Sequence, residues 1–115
     1  MTAPLRGEVW LVSLDPTIGD EIRKVRPAVV MSRDALGILA LRVAVPITAW
    51  QDRFKGCDWL VRIEPDPQNG LDKPSAADAF QVRSVSARRF IRRLGRLSDG
   101  DVVRLTEGLK VVFAM

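Results

Sequence analysis

An arginine, a glutamate and a threonine draw attention by type and position. Glu21 and Arg26 lie in Glu21-Ile22-Arg23-Lys24-Val25-Arg26-Pro27-Ala28-Val29-Val30, at the mouth of an apolar, β-branched run. Thr48 closes a second such run, Val45-Pro46-Ile47-Thr48. The chain contains no histidine, so phosphate chemistry at this place has a carboxylate, a guanidinium and a hydroxyl to work with. Arg26 precedes Pro27 and is therefore biased toward extended backbone. A guanidinium held at a strand entrance can grip a phosphate through two parallel N–H bonds. A threonine hydroxyl can donate to a phosphate oxygen, and Glu21 can serve as general base or hold Arg26. Each residue also has a plain structural role: Arg26 as the ion-pair partner of Glu21 or Asp20, Thr48 as a strand end, Glu21 as a solvated acid.

Strands must position these groups. Val9 to Leu14 reads as a first strand with Trp10, Val12 and Leu14 on one face. Pro27 to Ser32 is a second, and its proline belongs at a strand start or an edge because it has no N–H for a ladder. Leu39 to Ile47 is a third, with an apolar face at its odd positions, so Thr48 has the opposite parity and points away from the core. Trp59, Val61 and Ile63 mark a fourth, and Phe80 and Val82 a fifth that turns Gln81 and Arg83 outward. Ser98-Asp99-Gly100-Asp101 opens a helix with Ser98 as N-cap and acids at the positive end of the dipole. Val102, Leu105, Leu109 and Val112 follow at helical spacing and face the core. Five short strands and a late helix indicate a small, strongly bent antiparallel barrel. Two connections, Asp15 to Arg26 and Thr48 to Asp58, are long for hairpins, and loops of that length in compact domains are often functional. Both flank the strands that carry Arg26 and Thr48, so they could meet over one end of the barrel. The second holds Trp50 and Phe54 among Arg53 and Lys55, an arrangement suited to stacking unpaired bases, with packing under the loop as the plainer role.

Composition narrows the classes further. A chain of 115 residues with 47% hydrophobic residues forms one domain, residues 1–115. No run reaches the length of a membrane span, and the first residues, Met1-Thr2-Ala3-Pro4-Leu5-Arg6, lack the apolar stretch of a secretory signal. Cys57 is the one cysteine, so neither an intrachain disulfide nor a cysteine or histidine metal cluster is expected. A cytosolic protein without a transition metal is the simplest expectation. The net charge is +4 and its excess is local: Ala79 to Ser98 has no acid but contains Arg83, Arg88, Arg89, Arg92, Arg93 and Arg96. Such a cluster suits a polyanion or an acidic protein as well as it suits a solvated basic face.

The same residues carry a resemblance. Arg6-Gly7-Glu8-Val9-Trp10, Leu14-Asp15-Pro16-Thr17-Ile18-Gly19-Asp20-Glu21, Arg26-Pro27-Ala28-Val29-Val30 and Val45-Pro46-Ile47-Thr48 resemble the MazF/PemK toxin endoribonucleases. Gly70-Leu71-Asp72-Lys73-Pro74-Ser75, Gln81-Val82-Arg83-Ser84-Val85 and Arg93-Leu94-Gly95-Arg96-Leu97 continue the match in order over nearly the whole chain. The resemblance implies a mainly β, SH3-like barrel with a C-terminal helix, acting as a cytoplasmic homodimer. It implies cleavage of single-stranded RNA at short sequences without metal or other cofactor, leaving a 2′,3′-cyclic phosphate and a 5′-hydroxyl. An acidic, MazE-like antitoxin is the implied protein partner, with a disordered segment that occupies the RNA groove. Arg26 and Thr48 become the catalytic pair, with Glu21 beside them. Thr17, Gly19, Arg23 and Lys24 from the first loop become RNA contacts. So do Trp50, Arg53 and Lys55 from the second, and Gln81 and Arg83 beyond it. One position departs, since Phe80 stands where the family often has an acid. Two other classes compete: a gyrase-poisoning, CcdB-like toxin on the same barrel, and a binding module without catalysis. CcdB-like action is associated with a Trp-Gly-Ile terminus, whereas this chain ends Val112-Phe113-Ala114-Met115.

Overall fold

Apolar residues on both faces of the first three strands dictate a sheet that is covered on both sides. The computed structural model describes residues 3–36 and 38–115. Among these are seven strands and one α-helix. The strands are β1 (Glu8–Ser13), β2 (Val25–Val30), β3 (Leu41–Ala49), β4 (Leu60–Ile63), β5 (Ser75–Asp78), β6 (Arg83–Ser86) and β7 (Phe90–Arg96), and α1 is Asp99–Phe113. All pairings are antiparallel, in the order β4-β5-β3-β2-β1-β7, with β6 also on β3. The mainly β architecture and the closing helix are as expected. The sheet bends as a barrel does, but strand pairing does not close it.

Two apolar layers hold the sheet. Val9, Val29, Val45, Ile47, Val61 and Ile63 pack under α1, which contributes Leu105, with Val102, Leu109 and Val112 at its border. On the other face Trp10, Val12, Leu14, Ala28, Val30, Val85 and Phe90 form a second layer, with the Trp10 and Phe90 rings edge to face at 6.0 Å. The Ser98 hydroxyl caps α1 by accepting the Asp101 N–H at 3.1 Å.

The strand expected at Phe80 and Val82 is absent. Ala79–Gln81 is a 3₁₀ turn, capped by the Asp78 carboxylate, which accepts the Phe80 N–H at 3.1 Å. The turn leaves Phe80 70% exposed. Strands lie on both sides of it instead. β5 is Ser-Ala-Ala-Asp, too small in its side chains to show an apolar face, and β7 is arginine-rich and irregular in register against β1. β3 begins two residues later than expected, with Leu39 and Leu41 exposed. Pro27 is neither first in its strand nor on an edge strand: it lies inside β2, between β1 and β3. It is tolerated because its ladder to β3 begins only at Ala28, so at Pro27 the strand has a partner on one side alone, Leu11 of β1.

The segment from Glu64 to Pro74 reaches across to β7. Asn69 is fully buried; its Nδ2 donates to the Glu64 carbonyl at 2.9 Å and its Oδ1 accepts the Leu71 N–H at 3.0 Å. The Arg96 N–H donates to the Gln68 carbonyl at 2.8 Å. Gly70 and Gly95 let the two backbones touch: a Cβ on Gly70 would overlap the Leu94 carbonyl, and one on Gly95 the Gln68 carbonyl. Gly70 has φ +72, whereas Gly56 has φ +88 but open space around it. Both Gly→Ala variants should meet the cost of a left-handed residue, about 1–2 kcal/mol. Gly70→Ala should lose about 1–3 kcal/mol more through overpacking. Urea unfolding midpoints of the two variants check this, and equal midpoints would contradict the packing role of Gly70.

Candidate active site

β3 changes partners along its length, and the site lies at the change. On one edge, Ala44–Pro46 pairs with β2. On the other, Leu41–Ala44 pairs with β6 and Ile47–Ala49 with β5. Pro46, which has no N–H to donate, falls between those last two ladders. The β2 ladder stops at Ala28↔Pro46; continued by two residues, the same register brings Arg26 opposite Thr48. The strands part there and leave a cleft of about 180 Å³, lined by Arg26, Pro27, Thr48 and Ala49, with Asp72 and Lys73 from the segment before β5. Arg26 and Thr48 thus share one pocket.

Arg26 is exposed and forms no ion pair among the described residues. Its Nε donates to the Arg23 carbonyl at 3.3 Å, which orients the guanidinium without neutralising it. Its role as a mere partner of Glu21 or Asp20 is therefore not realised. Thr48 is half-buried. The third wall went unread in the sequence. Asp72 and Lys73 belong to a recognisable motif, but nothing local shows that β5 pairs with the end of β3 and carries them to Thr48. The Ser75 hydroxyl, buried, donates to the Lys73 carbonyl at 2.9 Å, and the Trp50 N–H donates to the Pro74 carbonyl at 3.0 Å.

Glu21 does not line this cleft. Its carboxylate accepts the Ile18 N–H at 2.8 Å within its own loop and borders a second, larger hollow of about 400 Å³ with Asp20, Phe80, Gln81, Val82 and Arg83. Gln81 joins the two sides of that hollow: its Oε1 accepts the Ile22 N–H at 2.5 Å and its Nε2 donates to the Asp20 carbonyl at 3.0 Å. Arg83 donates to the Leu14 carbonyl at 3.3 Å. Within the first loop, Thr17 bonds to Asp15 at 3.3 Å, Gly19 has open space around it, Arg23 is exposed, and Lys24 takes φ 69 while its carbonyl accepts the Leu14 N–H at 2.9 Å. The first loop therefore docks on the Ala79–Gln81 turn.

Trp50 and Phe54 are half-buried and pack edge to face at 5.7 Å. Arg62 lies 5.0 Å over the Trp50 ring and Arg53 5.1 Å over Phe54. A 3₁₀ turn at Asp52–Phe54 folds the loop back and brings the two rings together. Lys55 is exposed at the end of that turn. The freely presented aromatic beside a hollow is Phe80. The arginine cluster divides similarly. Arg83 and Arg89 donate to carbonyls at Ser13–Asp15, and Arg93 pairs with the buried Glu8 at 3.1 Å. Arg88, Arg92 and Arg96 are exposed. Among the described residues, no three His, Cys, Asp or Glu side chains gather as a metal centre would need.

Asp78, which caps the turn that presents Phe80 and Gln81, has its carboxyl pushed above the usual 3.8 by burial, against the lowering effect of the Phe80 and Gln81 N–H groups. A raised carboxyl favours the protonated fold. That contribution is complete below pH 3.8 and is lost as pH rises through the folded value. Asp78→Asn keeps the accepting oxygen and removes the charge. It should be at least as stable as the parent at pH 7, with any advantage disappearing as pH falls toward 4, in urea titrations across that range.

Residues 5–113 match the family model described as PemK-like, MazF-like toxin of type II toxin–antitoxin systems. The chain is 36% identical over 112 residues to endoribonuclease MazF9 of Mycobacterium tuberculosis, covering 92% of each chain. It is 40% identical over 114 residues to the probable endoribonuclease MazF5 of the same organism, covering 96% of this chain and 94% of the relative. The crystal structure of MazF from Deinococcus radiodurans superposes with a TM-score of 0.84 at 25% identity over the full length of both chains. A mycobacterial endoribonuclease solved with its cognate antitoxin shares the fold, with a TM-score of 0.76 at 18% identity over 98% of this chain and 97% of that one. With a family match over nearly its whole length and relatives this similar, the chain belongs to the PemK-like, MazF-like toxins of type II toxin–antitoxin systems.

Proposed function

We propose that this chain is a single-domain endoribonuclease that cuts single-stranded RNA in the Arg26–Thr48 cleft, by attack of a ribose 2′-hydroxyl on its own 3′-phosphate. The O2′–P bond forms, the P–O5′ bond breaks, and the products end in a 2′,3′-cyclic phosphate and a 5′-hydroxyl. One observation carries this: a guanidinium without an ion-pair partner among the described residues and a threonine hydroxyl line one cleft at the parting of two strands. Arg26 stabilises the negative charge that grows on the phosphate, and Thr48 donates to one of its oxygens. Arg26 serves as electrostatic clamp and proton donor to the leaving oxygen, and a carboxylate takes the 2′ proton. Glu21 was expected there, but it caps its own loop and opens on the neighbouring hollow, whereas Asp72 borders the cleft itself. The shared cleft favours Asp72 as the base.

The larger hollow suits a splayed nucleobase, with the exposed Phe80 ring to stack on and Arg83 and Glu21 at its rim. Thr17, Gly19, Arg23 and Lys24 belong to the loop that borders this hollow, Gln81 lines it, and Arg53 and Lys55 add positive charge from the loop after β3. Trp50, covered by Phe54 and Arg62, supports its loop. Sequence preference then resides mainly in the first loop and the Phe80–Arg83 segment. We further propose that the chain works in the cytoplasm as a homodimer and that an acidic antitoxin binds it, as a cognate antitoxin binds the mycobacterial endoribonuclease of the same fold. No helix among the described residues is long and apolar enough to cross a membrane.

Single-turnover cleavage of a long mixed-sequence RNA in EDTA tests the central reading. Arg26→Ala and Thr48→Val should each slow cleavage about 10²- to 10³-fold. Glu21→Gln should remain near the parent rate, and Asp72→Asn should be slow. Binding without cleavage by the parent chain would overturn the enzymatic reading, and a rate that collapses in Glu21→Gln alone would return the proton to Glu21.

A further inference from the structure

On the reading that RNA occupies this cleft, we infer that Lys73 is a second phosphate-binding residue, facing Arg26 across Thr48. Strand order supplies the geometry. β3 runs between β2 and β5, so Thr48 has Arg26 on one side and the segment leading into β5 on the other. Ala49 pairs with Ser75, and Lys73 precedes Ser75 by two residues. Lys73 therefore enters from the wall opposite Arg26 and lines the same cleft. Its side chain is exposed and forms no ion pair among the described residues.

The backbone that carries Lys73 is held on every side. Ser75 bonds to its carbonyl, Trp50 to the next one, Asn69 ties the preceding turn internally, and the Gly70–Gly95 contact anchors that turn to β7. Such bracing is more than a solvated surface lysine needs. An RNA backbone passing over Thr48 meets a cation on each flank, and a phosphate next to the scissile one is the natural partner of an ammonium, which acts as a point charge rather than a bidentate fork.

The test uses a 2′-O-methyl RNA of mixed sequence, which keeps its phosphates but cannot attack them. Its affinity is measured against salt for the parent, Lys73→Ala, Lys73→Arg and Lys110→Ala. Lys110 sits on the exposed side of α1 and controls for net charge. Loss of one phosphate contact on a single strand should shrink the slope of log affinity against log salt by about 0.7. That change is expected in Lys73→Ala, with Lys73→Arg and Lys110→Ala keeping the parent slope. An unchanged slope in Lys73→Ala, or an equal change in Lys110→Ala, would overturn the inference. The result is independent of whether the parent cleaves RNA: a salt-dependent parent that binds without cutting defeats the enzymatic reading and leaves the Lys73 slope measurable.

Discussion

An interrupted ladder is the constraint on which this molecule depends. Two adjacent strands part after Ala28↔Pro46, and one of the two prolines lies on each strand at the point of parting. A continuous ladder would hold Arg26 and Thr48 flat within a sheet, their backbones paired and no space between them. The parting opens a cleft between them while both remain on rigid strands. A site on strands is held more tightly than a site on loops, which matters when a charged transition state must meet its donors without rearrangement.

The rest of the fold supports that opening from both sides. β1 holds β2 in place on its far edge, and β5 takes over β3 where β2 leaves it. Gln81 docks the first loop, so the Arg23 carbonyl that orients Arg26 belongs to an anchored segment. Several arginines that look from composition like a uniform basic face are engaged in this work, on backbone carbonyls or on Glu8. Those bonded to carbonyls still contribute positive charge to the field around the cleft, since a carbonyl does not neutralise a guanidinium.

Much of this was legible in the chain. Val61 and Ile63 alternating with Arg62 and Glu64 gave β4, and the Ser98 cap with its apolar stripe gave α1, because period and capping are local signals. The Arg26–Thr48 pairing was visible through a family resemblance rather than through periodicity. Three things were not legible. Ser75–Asp78 buries small side chains, so its pattern carries no apolar alternation. Phe80 looks like a strand residue until the Asp78 cap turns the chain beneath it. Asp72 and Lys73 reach the cleft only because β3 changes partner, a tertiary fact with no signature in a short window of sequence. Glu21 borders the neighbouring hollow rather than the cleft for a related reason: its loop folds back on the turn after β5, which itself went unseen.

Arg26 and Thr48 are proposed to act on one phosphate. A double-mutant cycle measured by single-turnover cleavage tests it most directly, with Arg26→Ala, Thr48→Val and the combined variant set against the parent. If both groups serve the same transition state, the combined variant should fall well short of the product of the two single losses. Losses that multiply in full would mean that the two side chains act separately, and the shared-cleft account would be wrong.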